Sequence, residues 1–318
     1  MPRVEIVVVT HNSAAEIGRC LDALAGLSES EVGILIVDNA SADSTTEEVA
    51  VRQSRANLRL LANPENVGFA AALNQGVRAS TAPLILSLNP DALLVRGLDA
   101  MADCLELPGT GAVGGLLTGE DGIPQTGFMA RNLPTPAALV FEVLGINRLW
   151  PRNLVNWHYR CLALDPMNVS LVEQPAGAFL MFSRTAWETV GGFDERFRPV
   201  WFEDVDFCAR IKAAGFRIFY HPSAVASHAG SHSVGALPLE NRERYWYGSL
   251  LKYAAKHYSS TAFRTICLAV AAGAFFRAFL GFPRYKWRSF AVYGGIVGLA
   301  LSRTFQAPVK YSGKCCLI

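Results

Sequence analysis

The sequence predicts an α/β fold, a mostly parallel central sheet flanked by helices, followed by a helical extension that is basic and apolar. Three observations predict it. Four short strand-like runs, the first of them β-branched (VEIVVV), alternate with helix-like segments in the first hundred residues. Each run stops at a polar cluster. From residue 251 onward there are ten Lys and Arg and no Asp or Glu.

The first run, residues 4–9 (VEIVVV), is long enough for a strand buried on both faces. Thr10-His11-Asn12 follows, and Ser13-Ala-Ala-Glu16 reads as a capping box opening a helix whose Ile17, Cys20, Leu21 and Leu24 form a core-facing stripe. A second strand, 33–37, ends at Asp38. The polar loop 39–43 and a helix from about Ser44 come next. A third strand, 58–61, leads through residues 63–68 into a helix reaching about Ala79. A fourth, 84–88, stops at Asn89-Pro90-Asp91. Strands that alternate with helices this way form a parallel sheet, and ligands bind at the carboxyl edge of such sheets, where all four clusters fall.

Beyond about residue 110 the pattern loosens into Gly- and Pro-rich chain with an apolar stretch over 134–149. It resumes at 174–183, 191–197 (GGFDERF) and 201–210 (WFEDVDFCAR), then a strand over 216–221 and the cluster 228–233 (HAGSHS). These features divide the chain into a domain over 1–235 and a helical, basic, membrane-associating region over 236–318.

With 51% apolar and 18% charged residues among 318, the chain can bury a sizeable core and is not a disordered one. The net charge of +2 conceals an acidic body, with 19 basic and 27 acidic side chains before residue 251, joined to an acid-free tail. Seven cysteines without a C-x-x-C exclude a disulfide framework and a structural zinc site, which places the chain in a reducing compartment. A strand pattern at the very start leaves no room for a signal peptide. In the tail, the charge-free runs 265–276 and 289–302 hold 12 and 14 residues, short of the roughly 20 that a span requires. Flanked by Arg and Lys, they predict attachment to a membrane surface; a helical cap over the sheet is the plainer alternative.

Several residues in these clusters could carry chemistry. Asp38 is either a turn cap or a carboxylate that accepts hydrogen bonds from a ribose or base. Asp91, alone at the ligand edge, suits a hard divalent cation shared with diphosphate oxygens. Glu203, Asp204 and Asp206 open a helix and could merely complement its dipole. Trp201 and Phe202 before them would supply a desolvating wall, which raises a carboxylate toward the range of a general base. His228 and His232 lie four apart in a glycine- and serine-bearing loop. One imidazole on a metal or phosphate is the more economical reading, and for His232 a satisfied surface histidine is preferred over a ligand. No Gly-x-x-x-x-Gly-Lys, Gly-x-Gly-x-x-Gly or Gly-x-Ser-x-Gly occurs, so kinase, dehydrogenase and hydrolase readings lack support.

Taken in order, residues 8–13, 37–43, 66–76, 88–91, 191–197, 202–207 and 228–233 resemble the family 2 glycosyltransferases, in particular their bacterial rhamnosyltransferase-like branch. The resemblance implies a GT-A nucleotide-diphospho-sugar transferase fold. Thr10, Asn12, Asp38 and Asn66 would line the nucleoside pocket, and Asn89, which replaces the first acid of the DxD-type motif, would join the donor-binding set. Asp91 would hold Mg²⁺ or Mn²⁺, His228 would contact metal or diphosphate, and Asp204 would be the general base. The implied partners are a nucleotide-diphospho-sugar donor (dTDP-rhamnose), a lipid-linked or polysaccharide acceptor and the inner face of the cell membrane, with no nucleic acid; the oligomeric state stays open. The Gln-x-x-Arg-Trp motif of processive synthases is absent, which favours adding one sugar or a few. A sugar-phosphate nucleotidyltransferase is disfavoured because no glycine-rich basic loop follows the first strand. A non-catalytic scaffold would not require Asp91 and Asp204 together. The final Cys315-Cys316-Leu317-Ile318 fits C-a-a-X formally, a match that is accidental in a bacterial chain.

Overall fold

The computed structural model of the protein describes residues 2–54, 56–230 and 237–304; His232 and the four C-terminal residues lie outside these. The chain forms two compact units. The first takes in Met1–Leu133, Arg160–Pro199 and Glu203–Ala236; the second takes in Pro134–Tyr159, Val200–Phe202 and Leu237–Ile318. The segments 134–159 and 200–202 thus cluster with the C-terminal helices, although sequence order places them within residues 1–235.

Unit 1 is built on nine strands: β1 (Val4–Thr10), β2 (Val32–Asp38), β3 (Leu58–Ala62), β4 (Leu84–Leu88), β5 (Ala92–Arg96), β6 (Thr110–Thr118), β8 (Ser170–Leu171), β10 (Phe179–Ser183) and β11 (Arg217–His228). Two further short strands, β7 (Ala130–Arg131) and β9 (Gln174–Pro175), pair with each other. The sheet order is β3-β2-β1-β4-β10-β6-β11-β5, with β8 on β11. From β3 to β4 the pairing is parallel, as the continuous apolar runs require. β10 then enters antiparallel between β4 and β6, and β5 returns antiparallel along β11. Every residue of β1 and β2 is buried.

The helices α1 (Ala14–Ala23), α2 (Thr45–Ala50) and α3 (Phe69–Arg78) make the crossovers, with α4 (Leu98–Glu106) after β5. α1 turns Ile17, Cys20 and Leu21 inward, as its periodicity requires. The capping box expected at Ser13 does not form. The Ser13 hydroxyl accepts from the His11 N–H at 3.3 Å, while the Ala14 N–H is taken by Asp43 of the next loop at 3.1 Å. A partner distant in sequence replaces the local cap because the two loops lie side by side at the sheet edge. α8 (Arg184–Thr189) follows β10, and α9 (Glu203–Ala213) begins at the acidic cluster.

Unit 2 is helical: α5 (Pro136–Val143), α6 (Ile146–Leu149), α7 (Leu154–Tyr159), then α10 (Leu239–His257), α11 (Ser260–Leu280), α12 (Phe282–Tyr285) and α13 (Trp287–Thr304). Its interior holds Tyr247, Leu250 and Tyr253 of α10, Ile266, Cys267 and Val270 of α11, and Val292 and Ile296 of α13. Tyr258 donates to the Pro134 carbonyl, and Arg277 to that of Val143, which ties α5 to the C-terminal helices. The charge-free run 265–276 is shorter than the helix that contains it, because Arg264 and Arg277 do not end α11. At 21 residues α11 is long and apolar enough to cross a membrane by length and composition, and close to half of it is buried inside the protein.

Candidate active site

Parallel register puts Thr10 beside Asp38 at the carboxyl ends of β1 and β2. The Thr10 hydroxyl donates to Asp38 Oδ1 at 2.8 Å, the Ser41 hydroxyl to the same oxygen at 2.6 Å, and the Ser41 N–H to Oδ2 at 3.0 Å. Asp38 is therefore a rigid, buried acceptor with capacity left on Oδ2. Asn12, at φ +53°, donates its N–H to Ser41 Oγ and accepts from the Ala42 N–H at 2.7 Å. Asn66 Oδ1 accepts from Asn39 Nδ2 and from the Gly68 N–H, each at 2.9 Å, while Asn39 Oδ1 accepts from the Val67 N–H at 3.0 Å. Thr10, Asn12, Asp38 and Asn66 thus share one polar wall, braced by Asn39 and Ser41. Gly68 caps α3 at φ +89°, a conformation that favours glycine.

A second group forms at the turn after β4. Because β5 pairs antiparallel with β11, with Ala92 opposite His228, Asp91 and His228 meet. Asp91 Oδ1 and His228 Nε2 are 3.6 Å apart, and both side chains are almost fully buried. Two ligands each about 2.1 Å from one ion stand at most about 4.2 Å apart, so the pair fits a shared divalent cation. No cluster of three His, Cys, Asp or Glu exists among the described residues. His228 is gripped by Gln125, whose Nε2 donates to the His228 carbonyl at 2.8 Å and whose Oε1 lies 3.1 Å from Nδ1. A carbonyl oxygen there requires the proton on Nδ1 and leaves the Nε2 lone pair facing Asp91. Burial lowers the His228 pKa, opposed by the Asp91 charge, so the neutral ring is favoured. Asn89 acts through its backbone: its N–H donates to the Ala178 carbonyl at 3.0 Å and its carbonyl accepts from the Ala92 N–H at 3.0 Å. Its side chain makes no hydrogen bond among the described residues.

Asp204 forms a third group at the start of α9. Its Oδ2 accepts from the Gly177 N–H at 3.0 Å and from Gln174 Nε2 at 3.1 Å. Its Oδ1 accepts from the Val205 N–H at 2.8 Å. A Cβ on Gly177 would lie 3.0 Å from Asp204 Cβ, so glycine is what lets the backbone approach the acid. Burial raises the Asp204 pKa, moderated by the two N–H groups and by Arg131. Next to it, Glu203 is buried with Oε2 unpartnered among the described residues, and burial together with the Asp204 charge holds its carboxyl well above the ordinary range. Asp206 does something else: fully buried, it accepts from Arg210 Nε at 2.7 Å and anchors the helix.

The expected desolvation of Asp204 is present, and within unit 2 the Phe202 ring packs against Trp246 and Tyr253. Trp201 and Phe202 stand consecutively at φ +77° and +69°, a left-handed pair that bulky residues rarely adopt. The second and third groups are joined through rings: Phe128 stacks on His228 at 5.3 Å, and the Arg131 guanidinium lies over Phe128 at 5.6 Å. Gln125, Phe128, Arg131, Gln174 and Gly177 escaped the sequence reading. Arg131 and Gln174 sit in the two-residue strands β7 and β9, Gln125 and Phe128 in the turns before β7, and Gly177 between β9 and β10, segments too short for a periodicity to mark them.

Similar proteins agree with this architecture. The family model described as Glycosyl transferase family 2 matches residues 5–143, and that of Glycosyl transferase family group 2 matches residues 150–305. The chain is 32% identical over 270 residues to the N-acetylglucosaminyl-diphospho-decaprenol L-rhamnosyltransferase of Mycobacterium tuberculosis, covering 79% of this chain and 84% of that one. It is 28% identical over 264 residues to the pre-mycofactocin glycosyltransferase of the same species, over 81% of this chain and 49% of the relative. Among solved structures, a mannosyltransferase from Pyrobaculum calidifontis in complex with GDP-Man and Mn²⁺ superposes with a TM-score of 0.53 at 20% identity, over 95% of this chain and 87% of that one. TarS of S. aureus in complex with UDP-GlcNAc does so with a TM-score of 0.53 at 14% identity, over 93% and 82%. The fold is therefore that of the GT-A glycosyltransferases. With ordered acidic and polar loops at one sheet edge and a relative of this identity along most of its length, the chain belongs to glycosyl transferase family 2.

Proposed function

We propose that this glycosyltransferase is inverting and metal-dependent, and that it moves rhamnose from dTDP-rhamnose to a hydroxyl of a lipid-linked N-acetylglucosamine acceptor or growing polysaccharide in cell-surface glycan synthesis. The observation that carries the mechanism is the Gly177–Ala178 backbone. Its Gly177 N–H holds Asp204, while its Ala178 carbonyl holds the Asn89 N–H at the turn bearing Asp91. One short segment thereby ties the base and the cation pair to the same backbone, and in-line displacement requires that such groups be held in fixed relation. The choice of rhamnose and of a lipid-linked N-acetylglucosamine acceptor is supported by the rhamnosyltransferase relative.

Asp91 and His228 would hold Mg²⁺ or Mn²⁺, which neutralises charge on the donor diphosphate. Asp38, Thr10, Asn12 and Asn66 bind and orient the nucleoside. Asp204 accepts the acceptor hydroxyl proton as its oxygen bonds to the anomeric carbon, and the carbon–oxygen bond to diphosphate breaks with its electron pair on the leaving nucleotide. Burial and the neighbouring Asp204 charge push the Glu203 carboxyl up, whereas the Gly177 and Val205 N–H groups favour the charged form of Asp204. The enzyme would act at the inner face of the cell membrane, where a polyprenyl-linked acceptor resides.

A thermal-shift panel of dTDP, UDP, GDP and CMP with their sugars, each with and without Mg²⁺ or Mn²⁺, tests the reading. Ligand at 100 times its dissociation constant stabilises by about 2.7 kcal/mol, readily seen in a melting curve. A metal-dependent shift confined to dTDP-rhamnose is the expected result. A shift confined to UDP-sugars would keep the class and replace the donor. No shift from a folded sample would favour a scaffold without catalysis.

A further inference from the structure

The helical unit carries a surface that the transfer reaction does not use. α11 and α13 run back along each other through the single turn of α12, burying Ala274 and Ala278 on one side and Val292 and Ile296 on the other. At the turn the apolar side chains face outward instead. Leu280 is 79% exposed and Trp287 76%, with Phe275, Phe276 and Phe279 more than half exposed. Their rings form one continuous chain: Phe275 meets Phe276 and Phe279, Phe279 meets Phe290 at 5.1 Å, and Phe290 meets Phe282 and Trp287, each at 5.7 Å. Exposed apolar groups scattered singly are ordinary, but a connected aromatic patch of this kind is not.

Charge defines what fits it. Arg284 and Lys286 flank the rings, over Tyr285 and Phe282 at 5.2 and 5.9 Å, and neither has an acidic partner among the described residues. Arg288 is held by Glu240. Between residues 251 and 304 there is no acid at all. Aromatic side chains beside unpaired cations match the interface of a bilayer with anionic headgroups, where rings settle at headgroup depth and Lys and Arg meet phosphate. A second exposed apolar group, Leu149, Trp150 and Leu154, is flanked by Arg148 and Arg152. It leaves from the same end of α11, because Arg277 near that end holds the last carbonyl of α5.

The geometry points to the α11–α12–α13 turn as a membrane-inserting knuckle that docks this protein on an anionic phospholipid surface without spanning it. The purpose of such docking rests on the lipid-linked acceptor reading, but its test needs neither donor nor acceptor. Full-length protein is sedimented with vesicles of phosphatidylcholine alone and of phosphatidylcholine containing one third phosphatidylglycerol. The wild type should partition at least tenfold more onto the anionic vesicles. Phe276→Ser combined with Trp287→Ser should lose most binding to both compositions, and Arg284→Glu combined with Lys286→Glu should lose the anionic preference. These exposed substitutions should leave the melting temperature and metal-dependent nucleotide binding unchanged, separating a failed docking surface from a failed enzyme. Wild-type binding to anionic vesicles undiminished in the apolar variant would overturn the proposal. So would a wild-type dimer in light scattering that the same variant dissociates with no vesicle binding in either protein, assigning the patch to a second copy of the chain.

Discussion

Gln125 holds His228 at two points, the backbone carbonyl and the ring Nδ1, across 103 residues of sequence. The paired contacts choose the tautomer and aim Nε2 at Asp91. Partners of this kind set metal affinity about 10–100-fold when removed. Gln125→Leu should therefore weaken Mn²⁺ binding by that order, read by calorimetry in the presence of nucleoside diphosphate, with little change in melting temperature. An unchanged affinity would mean that His228 needs no orientation.

Asp204→Asn keeps the size of the side chain and an acceptor for the Gly177 N–H, but it cannot take a proton. Donor binding should stay at the wild-type level while turnover falls by about 10²–10⁴, the usual contribution of a general base. Equal losses in calorimetric donor affinity and in turnover would instead make Asp204 a binding residue.

The pH dependence has a definite sign. Burial raises the folded pKa of Asp204, so its basic form appears only as pH rises past that raised value. The acid limb of the pH–rate profile should lie above the ordinary Asp range of about 3.9. Asp204 and Glu203 also favour folding while protonated, a contribution complete below the ordinary carboxylate range and lost as pH rises through their folded values. Asp204→Asn together with Glu203→Gln should accordingly flatten the loss of melting temperature between mildly acidic and neutral pH.

Gly177→Ala tests the close approach of backbone and acid. The added methyl would stand 3.0 Å from Asp204 Cβ and 3.1 Å from Oδ2, so the carboxylate must move. A shift of about 1 Å costs up to roughly 10²-fold in rate. Steady-state kinetics should show that loss in kcat, with nucleotide binding retained.

Arg210→Met removes the cation beside a carboxylate with no exposure to solvent. Breaking a buried pair from one side costs about 3 kcal/mol or more, so chemical denaturation should reveal a loss of that order. Asp206→Asn with Arg210→Met should recover part of it.

How much of this was legible depends on the range of the interactions. β1, β2 and β4 could be read directly because a strand buried on both faces is a largely apolar run, whereas β3 is a half-exposed edge strand marked mainly by its place in the alternation; each run ends at a polar cluster. Asp38, Asp91 and Asp204 stood out as acids at predicted element ends. The antiparallel entry of β10 between β4 and β6 could not be read, since FLMFS reports burial but not direction. Ser13 illustrates a local rule defeated by tertiary contact, because its N–H, which Glu16 would take in a capping box, goes to Thr45 Oγ1 at 2.8 Å. Glu5 was hidden for a related reason. Within an apolar strand it resembles one outward-facing residue, yet it is buried with Ser80 at 2.8 Å and Arg59 at 3.0 Å. The aromatic knuckle was visible only as hydrophobicity, because exposure depends on which side of α11 the neighbouring helices cover.

The pairing of β5 with β11 also sets a timetable. Asp91 emerges from the ribosome early, with the parallel strands, whereas His228 is among the last residues of unit 1 to be synthesised. Non-local pairings of this kind form late in folding. The two halves of the proposed cation site therefore cannot meet until the sheet is nearly complete, and a nascent chain holding β1 to β4 would carry the polar wall at Thr10 and Asp38 without the Asp91–His228 pair. On the proposed function, capture of an activated sugar is thereby deferred until there is a finished enzyme to use it.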